Sequence, residues 1–261
     1  MLLAIDIGNT HTVVGIFKNG ELQNHWRVTS DLARTEDEIG AVLHYLFFKD
    51  GYDISKLDGA CISSVVPDLT PVYSMMCRRY MDCKPMIIGS SLHLDMRIKY
   101  KDPSLVGADR LCNAVAGKEK YGKPLIIIDF GTATTFDCLD SNGDYLGGVI
   151  APGLNTSIET LHRRAAKLPR VEIQFPAHII GRTTEESIQS GILVGTVCML
   201  EGMVSRLKEN LGQQTKVIAT GGLAGKIAKH TEVIDAIDLY LSLQGIASIY
   251  YKNKESTNLH R

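Results

Sequence analysis

The sequence lacks the features that mark several large classes of protein. Its formal net charge is −1 over 261 residues, and its basic residues form no run longer than two, so neither nucleic acid nor a membrane surface is an expected partner. Its six cysteines include no Cys-x-x-Cys pair and have no metal-binding histidine motif beside them, which predicts a reduced protein without a zinc site. No apolar run approaches the roughly 20 residues that span a bilayer, and the N-terminus lacks the charged segment and cleavage site of a secretory signal. These absences predict a soluble, cytoplasmic protein.

The most informative feature that is present is a pattern that occurs twice. The first copy reads LLAIDIGNTHTVVGIFKNGEL with Asp6 after an apolar stretch, and the second, 123 residues later, reads LIIIDFGTATTFDCLDSNGDY with Asp129 at the same point. An Asn-Gly pair follows each aspartate at the same offset, as Asn19-Gly20 and as Asn142-Gly143. The pattern predicts a buried strand, an Asp-x-Gly turn, a second strand and an Asn-Gly hairpin, built twice.

Hydrophobic periodicity extends this repeat to the whole chain, which at 44% hydrophobic residues can form one large domain or two modest ones. Strands alternate with helices in each half, which indicates an α/β protein with two mixed sheets covered by helices. We expect the halves to span residues 1–108 and 109–261, with a nucleotide bound between them. The predicted strands are 1–8, 11–17, 21–29, 59–66, 85–88, 124–129, 133–139, 144–150 and 216–219, and the main helices are 35–48, 69–81, 109–121, 153–163, 184–211 and 239–251.

The first Asp-x-Gly turn has short residues where a backbone must approach an anion. Gly8 has no Cβ, so the amides of Asn9 and Thr10 can point at phosphate oxygens, and the hydroxyls of Thr10 and Thr12 can add hydrogen bonds. Asp6, at the end of its strand, can reach the cation that travels with a triphosphate. The alternative is a tight β-turn with a side-chain cap, but the second copy in the same register favours a phosphate loop.

The second turn and a later Gly-Gly turn offer further nucleotide contacts. The segment 129–135 carries the Asp129 carboxylate and three threonine hydroxyls, which suit a cation or phosphates, whereas Thr135 and Asp137 fit ordinary strand alternation. The turn Thr220-Gly221-Gly222 follows a strand, and adenine or ribose can lie flat against such a backbone. A plain helix entry remains the alternative for this turn.

The segment Gly107-Ala108-Asp109-Arg110 opens a helix between the halves. Asp109 at or near the N-cap is stabilised by free amides and kept ionised there, and structural capping is the default interpretation. Arg110 beside it can bind a carboxylate or phosphate with two parallel hydrogen bonds. A base next to such a guanidinium would suit transfer of a γ-phosphoryl group to a hydroxyl. Locally, Thr183-Thr184-Glu185-Glu186 is only a helix cap, and Tyr100 is a surface aromatic.

Four motifs in this order, Asp-x-Gly-Asn-Thr, Gly-Ala-Asp-Arg, Asp-Phe-Gly-Thr-Ala-Thr-Thr and Gly-Arg-Thr-Thr-Glu-Glu-Ser, closely resemble those of type III pantothenate kinase. The resemblance covers about residues 1–250. That family lies within the acetate and sugar kinase/Hsp70/actin superfamily, whose members have duplicated ribonuclease-H-like halves and the actin-like ATPase fold. The resemblance therefore implies ATP-dependent phosphorylation of pantothenate to 4′-phosphopantothenate, the first step of coenzyme A biosynthesis.

The resemblance also implies roles for individual residues. Asp109 would accept the proton, Asp129 would bind a monovalent cation, potassium or ammonium, and magnesium would come with ATP near Asp6. Thr184 would reach the substrate across a homodimer interface. The apolar face of the helix 184–211 could build that interface with Ile188, Ile192, Val194 and Met199. The ATP phosphate loop would comprise Asp6, Ile7, Gly8, Asn9, Thr10, His11, Thr12 and Val13, with Thr132 as a further contact, and pantothenate would be held by Tyr100, Gly107, Ala108, Asp109 and Arg110.

Two other functions remain open on the sequence alone. One is a kinase for a different small hydroxylated substrate, and the other is a regulatory protein that keeps the fold and works by binding. The intact Asp6, Asp109, Arg110 and Asp129 argue against pure binding, because such a protein needs no base beside a phosphate turn. The positions 11–13 bring no lysine to the phosphates, so charge neutralisation would depend on the cations and ATP affinity would be weak.

Overall fold

The first half of the chain forms a mixed five-stranded sheet. The computed structural model describes residues 1–258. In the order β3-β2-β1-β4-β5, the first three strands are antiparallel, and β4 and β5 continue the sheet parallel to β1. The strands are β1 (Leu2–Ile7), β2 (His11–Lys18), β3 (Glu21–Thr29), β4 (Gly59–Ser64) and β5 (Met86–Ile87), and the helices are α1 (Glu36–Lys49), α2 (Leu69–Tyr80) and α3 (Ala108–Tyr121).

The second half repeats this sheet. Its order, β8-β7-β6-β9-β10, has the same three antiparallel strands followed by the same two parallel neighbours. The prediction of two mixed sheets covered by helices is therefore confirmed, and each sheet has five strands. The strands are β6 (Leu125–Phe130), β7 (Ala133–Leu139), β8 (Tyr145–Pro152), β9 (Lys216–Thr220) and β10 (Ala236–Ile237), and the helices are α4 (Leu154–Arg164), α5 (Thr184–Gln189), α6 (Gly195–Leu211), α7 (Ala224–Ile227) and α8 (Leu241–Asn258).

The central strands β1 and β6 share one burial pattern. In LLAIDI and in LIIIDF every residue is buried except the aspartate in the fifth place. Strands with neighbours on both sides and helices on both faces are continuously apolar, which explains the uninterrupted hydrophobic run in each copy. Asp6 and Asp129 are thus the points at which the two buried strands first become polar.

The two Asn-Gly pairs form different turns. Asn19 and Gly20 have φ values of 53° and 82° and connect Lys18 directly to Glu21, as in a two-residue type I′ hairpin. In the second copy the loop spans residues 140–144, the Gly143 amide donates to the Asp140 carbonyl at 2.9 Å, and Gly143 alone has positive φ, 82°. The second hairpin is therefore a type I turn with a bulge.

The chain divides into two compact units, residues 1–116 with 241–261 and residues 117–240. The closing helix α8 therefore packs with the first sheet, whereas the halves expected from the sequence placed it with residues 109–261. Close packing accounts for this placement: a Cβ on Gly245 of α8 would collide with the backbone of Cys112 in α3, and one on Gly59 of β4 would collide with the ring of Tyr250.

The helix predicted over 184–211 is interrupted by a π-helical turn at Ser190–Val194. By its length and composition alone, the segment Thr184–Leu211 could cross a membrane. The sequence pattern did not predict this, because no continuous apolar run in the chain is long enough. Leu193, Val197 and Leu200 of this stretch are buried in the core of the second unit. These three residues therefore pack inside the protein, and 39% of the most apolar 18-residue window is buried.

Candidate active site

The first Asp-x-Gly turn joins β1 to β2. The Gly8 amide donates to the His11 carbonyl at 3.1 Å, and a Cβ on Gly8 would lie 3.0 Å from that carbonyl oxygen. This pair leaves Asn9 and Thr10 as the exposed tip of the turn. Both residues of the tip are therefore exposed to solvent, and the Thr10 carbonyl accepts the Ser30 amide at 3.1 Å. Glycine is favoured beneath the tip because a side chain would press on the His11 carbonyl.

Two of the expected loop residues can contribute little beyond their backbone. Ile7 is fully buried, and so is Thr12, whose Oγ1 lies 2.9 Å from Ser30 Oγ. The Thr12 hydroxyl therefore does not lie at the exposed tip, contrary to what its place in the motif suggested. Val13 pairs with Asp6 in the sheet and is partly buried.

The sequence offered no cation at this turn, but the structure places Arg27 of β3 close to His11. Burial and this guanidinium lower the pKa of His11, which favours the neutral imidazole. β3 lies next to β2 in the sheet, and Arg27 is opposite Val13 in the register. Sequence reasoning missed Arg27 because it lies on a different strand from the motif.

The Asp6 side chain is partly buried near the end of β1. Burial raises its pKa to about 6; hydrogen bonds from Ser242 and Ser63 oppose that rise, and the nearby Asp109 carboxylate adds to it. The Ser63 hydroxyl donates to Asp6 Oδ1 at 3.0 Å. At neutral pH Asp6 is therefore largely ionised, but it is readily protonated in mild acid.

Asp109 is the second residue of α3 and is held by the start of that helix. The Arg110 amide donates to Asp109 Oδ1 at 2.7 Å, and the Leu111 amide donates to the Gly107 carbonyl. A Cβ on Gly107 would lie only 2.6 Å from Asp109 Oδ1, so the carboxylate occupies the space that a side chain at 107 would need. Glycine at 107 therefore allows this carboxylate position.

Burial raises the pKa of Asp109, against the effects of the Arg110 amide and guanidinium, which lower it. The sequence predicted instead a capping carboxylate kept ionised by the helix start. Desolvation outweighs that effect because the side chain is packed into the protein. A carboxylate with a raised pKa is a better proton acceptor, since its basicity comes closer to neutral pH.

The first unit thus brings Asp6 and Asp109 into electrostatic contact. Cys112, one turn along α3 and fully buried, faces both carboxylates, and burial raises the pKa of its thiol. Sequence reasoning missed Ser63, Ser242 and Cys112. Ser63 could have been found, because it stands opposite Asp6 in the parallel pair β1–β4, at the carboxyl ends where ligands bind to such sheets.

Arg110 is buried, with 8% of its surface exposed. Tyr100 lies in the irregular segment before a short turn at Pro103–Leu105 and is 37% exposed, as expected for a surface aromatic. Ala108 is buried at the first position of α3. A guanidinium held in a packed environment keeps a fixed orientation, which suits recognition of a planar anion.

The second unit assembles an equivalent site at the end of β6. Asp129 stands opposite Thr220 in the parallel pair β6–β9, just as Asp6 stands opposite Ser63. Gly221 has φ 88°, and a Cβ there would lie 2.5 Å from Asp129 Oδ1 and 2.7 Å from the Phe130 amide. The Gly-Gly turn therefore lies directly against Asp129.

Thr132 is exposed in the second turn, next to the exposed Gly131, and its carbonyl is held from two directions. It accepts hydrogen bonds from the Gly153 amide at 3.2 Å and the Thr156 hydroxyl at 2.7 Å. A Cβ on Gly153 would lie 2.5 Å from the carbonyl oxygens of Gly131 and Thr132. The start of α4 thus fixes the shape of this turn.

The segment around Thr184 is a capped helix start. Thr183 Oγ1 accepts the Glu186 amide at 3.1 Å, and Glu186 Oε2 accepts the Arg182 amide at 2.7 Å. Thr184 is exposed in the first turn of α5. Of the residues expected to form an interface, Ile188 packs in a small cluster of the second unit, and Ile192 and Met199 pack partly against its cores.

Within residues 1–258, no group of three or more histidine, cysteine, aspartate and glutamate side chains is placed to hold a metal ion. The candidate cation ligands are therefore single carboxylates, Asp6 in one unit and Asp129 in the other. A cation held by one carboxylate needs further oxygens from its substrate or from water, as magnesium bound to nucleotide phosphates does.

Comparison with known proteins gives a family and a fold. A family model described as type III pantothenate kinase matches residues 2–206. The structure is similar to that of a conserved putative Baf family transcriptional activator from Campylobacter jejuni, with a TM-score of 0.62 at 17% identity over 97% of this chain and 99% of that one.

Two further structures extend the fold assignment. A putative 2-dehydro-3-deoxygalactonokinase from Sinorhizobium meliloti matches with a TM-score of 0.57 at 12% identity, covering 97% of this chain and 96% of that chain. Component A of (R)-2-hydroxyglutaryl-CoA dehydratase from Acidaminococcus fermentans matches with a TM-score of 0.51 at 14% identity, covering 98% of each chain. At these identities the likeness shows the fold alone, which is the actin-like ATPase and sugar-kinase fold that the family resemblance implied.

Proposed function

The chain belongs to the type III pantothenate kinase family, and from that premise we propose that Asp109 accepts the proton of the substrate hydroxyl. The family catalyses ATP-dependent phosphorylation of pantothenate in coenzyme A biosynthesis. One observation supports the role of Asp109 above others: its carboxylate is held at a helix start beside Arg110, with its pKa raised by burial.

In the proposed reaction one bond forms, one bond breaks and one proton is transferred. The substrate hydroxyl oxygen bonds to the γ-phosphorus, the bond from that phosphorus to the ADP oxygen breaks, and the hydroxyl proton passes to Asp109. Arg110 binds the pantothenate carboxylate with two parallel hydrogen bonds. Tyr100 and the backbone of Gly107 and Ala108 complete the pantothenate site, so the hydroxyl is oriented before transfer.

The turn from Asp6 to Val13 holds the phosphates of ATP through the amides at its exposed tip, and Thr132 adds a further ATP contact. The exposure of Asn9 and Thr10 supports this role, because phosphate oxygens can approach the tip from solvent. Asp6, largely ionised at neutral pH, would hold the magnesium that accompanies ATP. Magnesium supplies charge neutralisation on the phosphates when it is bound.

Asp129 is the proposed ligand of a monovalent cation, potassium or ammonium. The Gly221 backbone lies directly against Asp129 Oδ1, since a Cβ there would stand 2.5 Å away, and this close contact holds the carboxylate in one position. When bound, such a cation offsets phosphate charge that no lysine in the first turn neutralises. Activity measured in potassium, ammonium and lithium salts of equal ionic strength tests this role; equal rates in all three would contradict it.

We also propose that the protein acts in the cytoplasm as a homodimer to which Thr184 contributes across the interface. The exposure of Thr184 at the start of a well-capped helix supports this role. Light scattering on the purified protein tests the assembly, and a monomer mass at the concentration used for activity measurements would contradict it.

The deciding experiment replaces Asp109 by asparagine. Asp109→Asn keeps the shape of the side chain and removes its basicity, so turnover should fall by about 10²-fold or more while ATP binding stays close to normal. A coupled assay of ADP release with pantothenate and potassium measures turnover, and nucleotide titration measures binding. Unchanged turnover would remove Asp109 from the mechanism.

A further inference from the structure

Two cysteines at the end of α2 lie together, away from the residues proposed for phosphoryl transfer. Cys77 is in the last turn of α2 and is fully buried in the first core, whereas Cys83, six residues later, is partly exposed. Between them Asp82 has a left-handed φ of 47°, which turns the chain back over the helix end. The Cys83 amide consequently donates to the Cys77 carbonyl at 3.3 Å.

The Cys83 sulfur lies over the end of α2, where its thiol donates to the Cys77 carbonyl at 3.9 Å. The side-chain contact between the two thiols lowers the pKa of Cys83 and raises that of Cys77. The pair thus combines one partly exposed sulfur with one buried sulfur beside it.

A purely structural role would be an apolar contact across the helix end, which often accompanies a left-handed residue after a helix. The chemistry of the other buried cysteines shows how this pair differs. Burial raises the pKa of Cys61 and of Cys112, as expected for inert core thiols, whereas the pKa of Cys83 is lowered. Cys61 and Cys112 are also fully buried, whereas Cys83 is partly exposed and its sulfur lies 3.9 Å from the Cys77 carbonyl oxygen, so a reagent can reach it beside a second cysteine.

We propose that Cys77 and Cys83 form a reversible redox pair that small-molecule disulfides convert into an intrachain disulfide. The Cys83 thiolate attacks one sulfur of the disulfide R–S–S–R, a mixed disulfide forms, and one thiolate RS⁻ leaves. Cys77 then loses its proton and attacks the Cys83 sulfur, and the second RS⁻ leaves. The two protein thiols are oxidised, the small disulfide is reduced to two thiols, and excess thiol reverses both steps.

The surroundings allow a small reagent to approach this part of the surface. The loop Arg79–Asp82, which connects the pair, borders an open cleft of ≈ 860 Å³. A separate cysteine provides an internal reference: Cys198 of α6 is exposed, with no second cysteine among the contacts given for it. The same reagent should therefore stop at a mixed disulfide on Cys198.

The test uses the folded, full-length protein and 2-hydroxyethyl disulfide as the oxidant. After exposure and alkylation of the remaining thiols, peptide mass mapping should show Cys77 and Cys83 joined, with the loss of two hydrogens, while Cys198 carries the reagent. Dithiothreitol should restore both thiols. Absence of the joined peptide while Cys198 reacts would overturn the proposal.

Two variants separate the two steps. In Cys77→Ala, Cys83 should retain the reagent as a stable mixed disulfide, whereas in Cys83→Ser the buried Cys77 should stay unmodified. Circular dichroism before oxidation establishes that each variant is folded. If the buried substitution Cys77→Ala prevents folding, Cys83→Ser at its partly exposed position still provides a test. Transfer of the reagent to Cys77 in Cys83→Ser would contradict the assigned order of attack.

Discussion

Replacing Gly107 by alanine tests whether the position of the Asp109 carboxylate, and not only its presence, determines the rate. The new Cβ would lie 2.6 Å from Asp109 Oδ1, whereas ordinary van der Waals contact begins at 3.4 Å. The carboxylate must therefore move by about 0.8 Å, and a displacement near 1 Å can reduce a rate by about 10²-fold, or about 2.7 kcal/mol in the activation free energy. The same movement strains the 2.7 Å hydrogen bond from the Arg110 amide.

The assay is steady-state ADP release with pantothenate, with kcat and the KM for ATP determined separately. We expect kcat to fall by about 10²-fold. The KM for ATP should change little, because the ATP turn joins β1 and β2, whereas Gly107 precedes α3. Gly89→Ala is the matched control, since a Cβ on Gly89 meets nothing within 4 Å and its φ is not in the left-handed region. A wild-type kcat in Gly107→Ala would refute the assigned role of the Asp109 position.

Further predictions concern the two aspartates at the ends of β1 and β6. The folded-state pKa of Asp6, about 6, lies above its ordinary value of 3.8. Between these pH values the folded state holds a proton that the unfolded state has lost. The free energy of unfolding therefore falls as the pH rises through this range. Asp6→Asn cannot ionise and should gain stability relative to the wild type between about pH 4 and about pH 7 in urea unfolding; a constant difference would contradict the raised pKa. Gly221→Ala places a Cβ 2.5 Å from Asp129 Oδ1 at a φ of 88°, and should lose about 2 kcal/mol of stability and require more potassium for activity. Gly222→Ala, whose Cβ would meet nothing within 4 Å, should do neither, and equal behaviour of the two variants would argue against the Asp129 contact.

Much of the fold was predictable because the chain states it twice. Each copy contains a continuous apolar strand ended by an aspartate, and the predicted strands after Asp6 and Asp129 agree with β2 and β7 within a residue or so. Local chemistry determined those elements: apolar runs, turn residues and helix caps act over a few neighbours. The two Asn-Gly pairs show the limit, since the second forms a wider loop once Asp140 accepts the amides of Asn142 and Asp144.

What the sequence did not predict depends on contacts between distant segments. Ser242 follows no motif and acquires its contact with Asp6 only because α8 packs on the first sheet. The raised pKa of Asp109 likewise depends on burial by surrounding elements, whereas its place at a helix start predicted the opposite direction. The rule that a helix N-terminus keeps a carboxylate ionised applies to exposed helix ends. Where the end is buried, desolvation raises the pKa of the carboxylate by more than the helix start lowers it.

The first unit is discontinuous along the chain, and this has a consequence for its synthesis. The segment that supplies Ser242 beside Asp6, and Gly245 against the backbone of Cys112, emerges from the ribosome only after residues 117–240 have been translated. The nascent N-terminal sheet therefore lacks its contacts with α8 while the whole of the intervening unit is synthesised. Cotranslational folding of the first unit should therefore be completed only when α8 packs against the first sheet and brings Ser242 to Asp6.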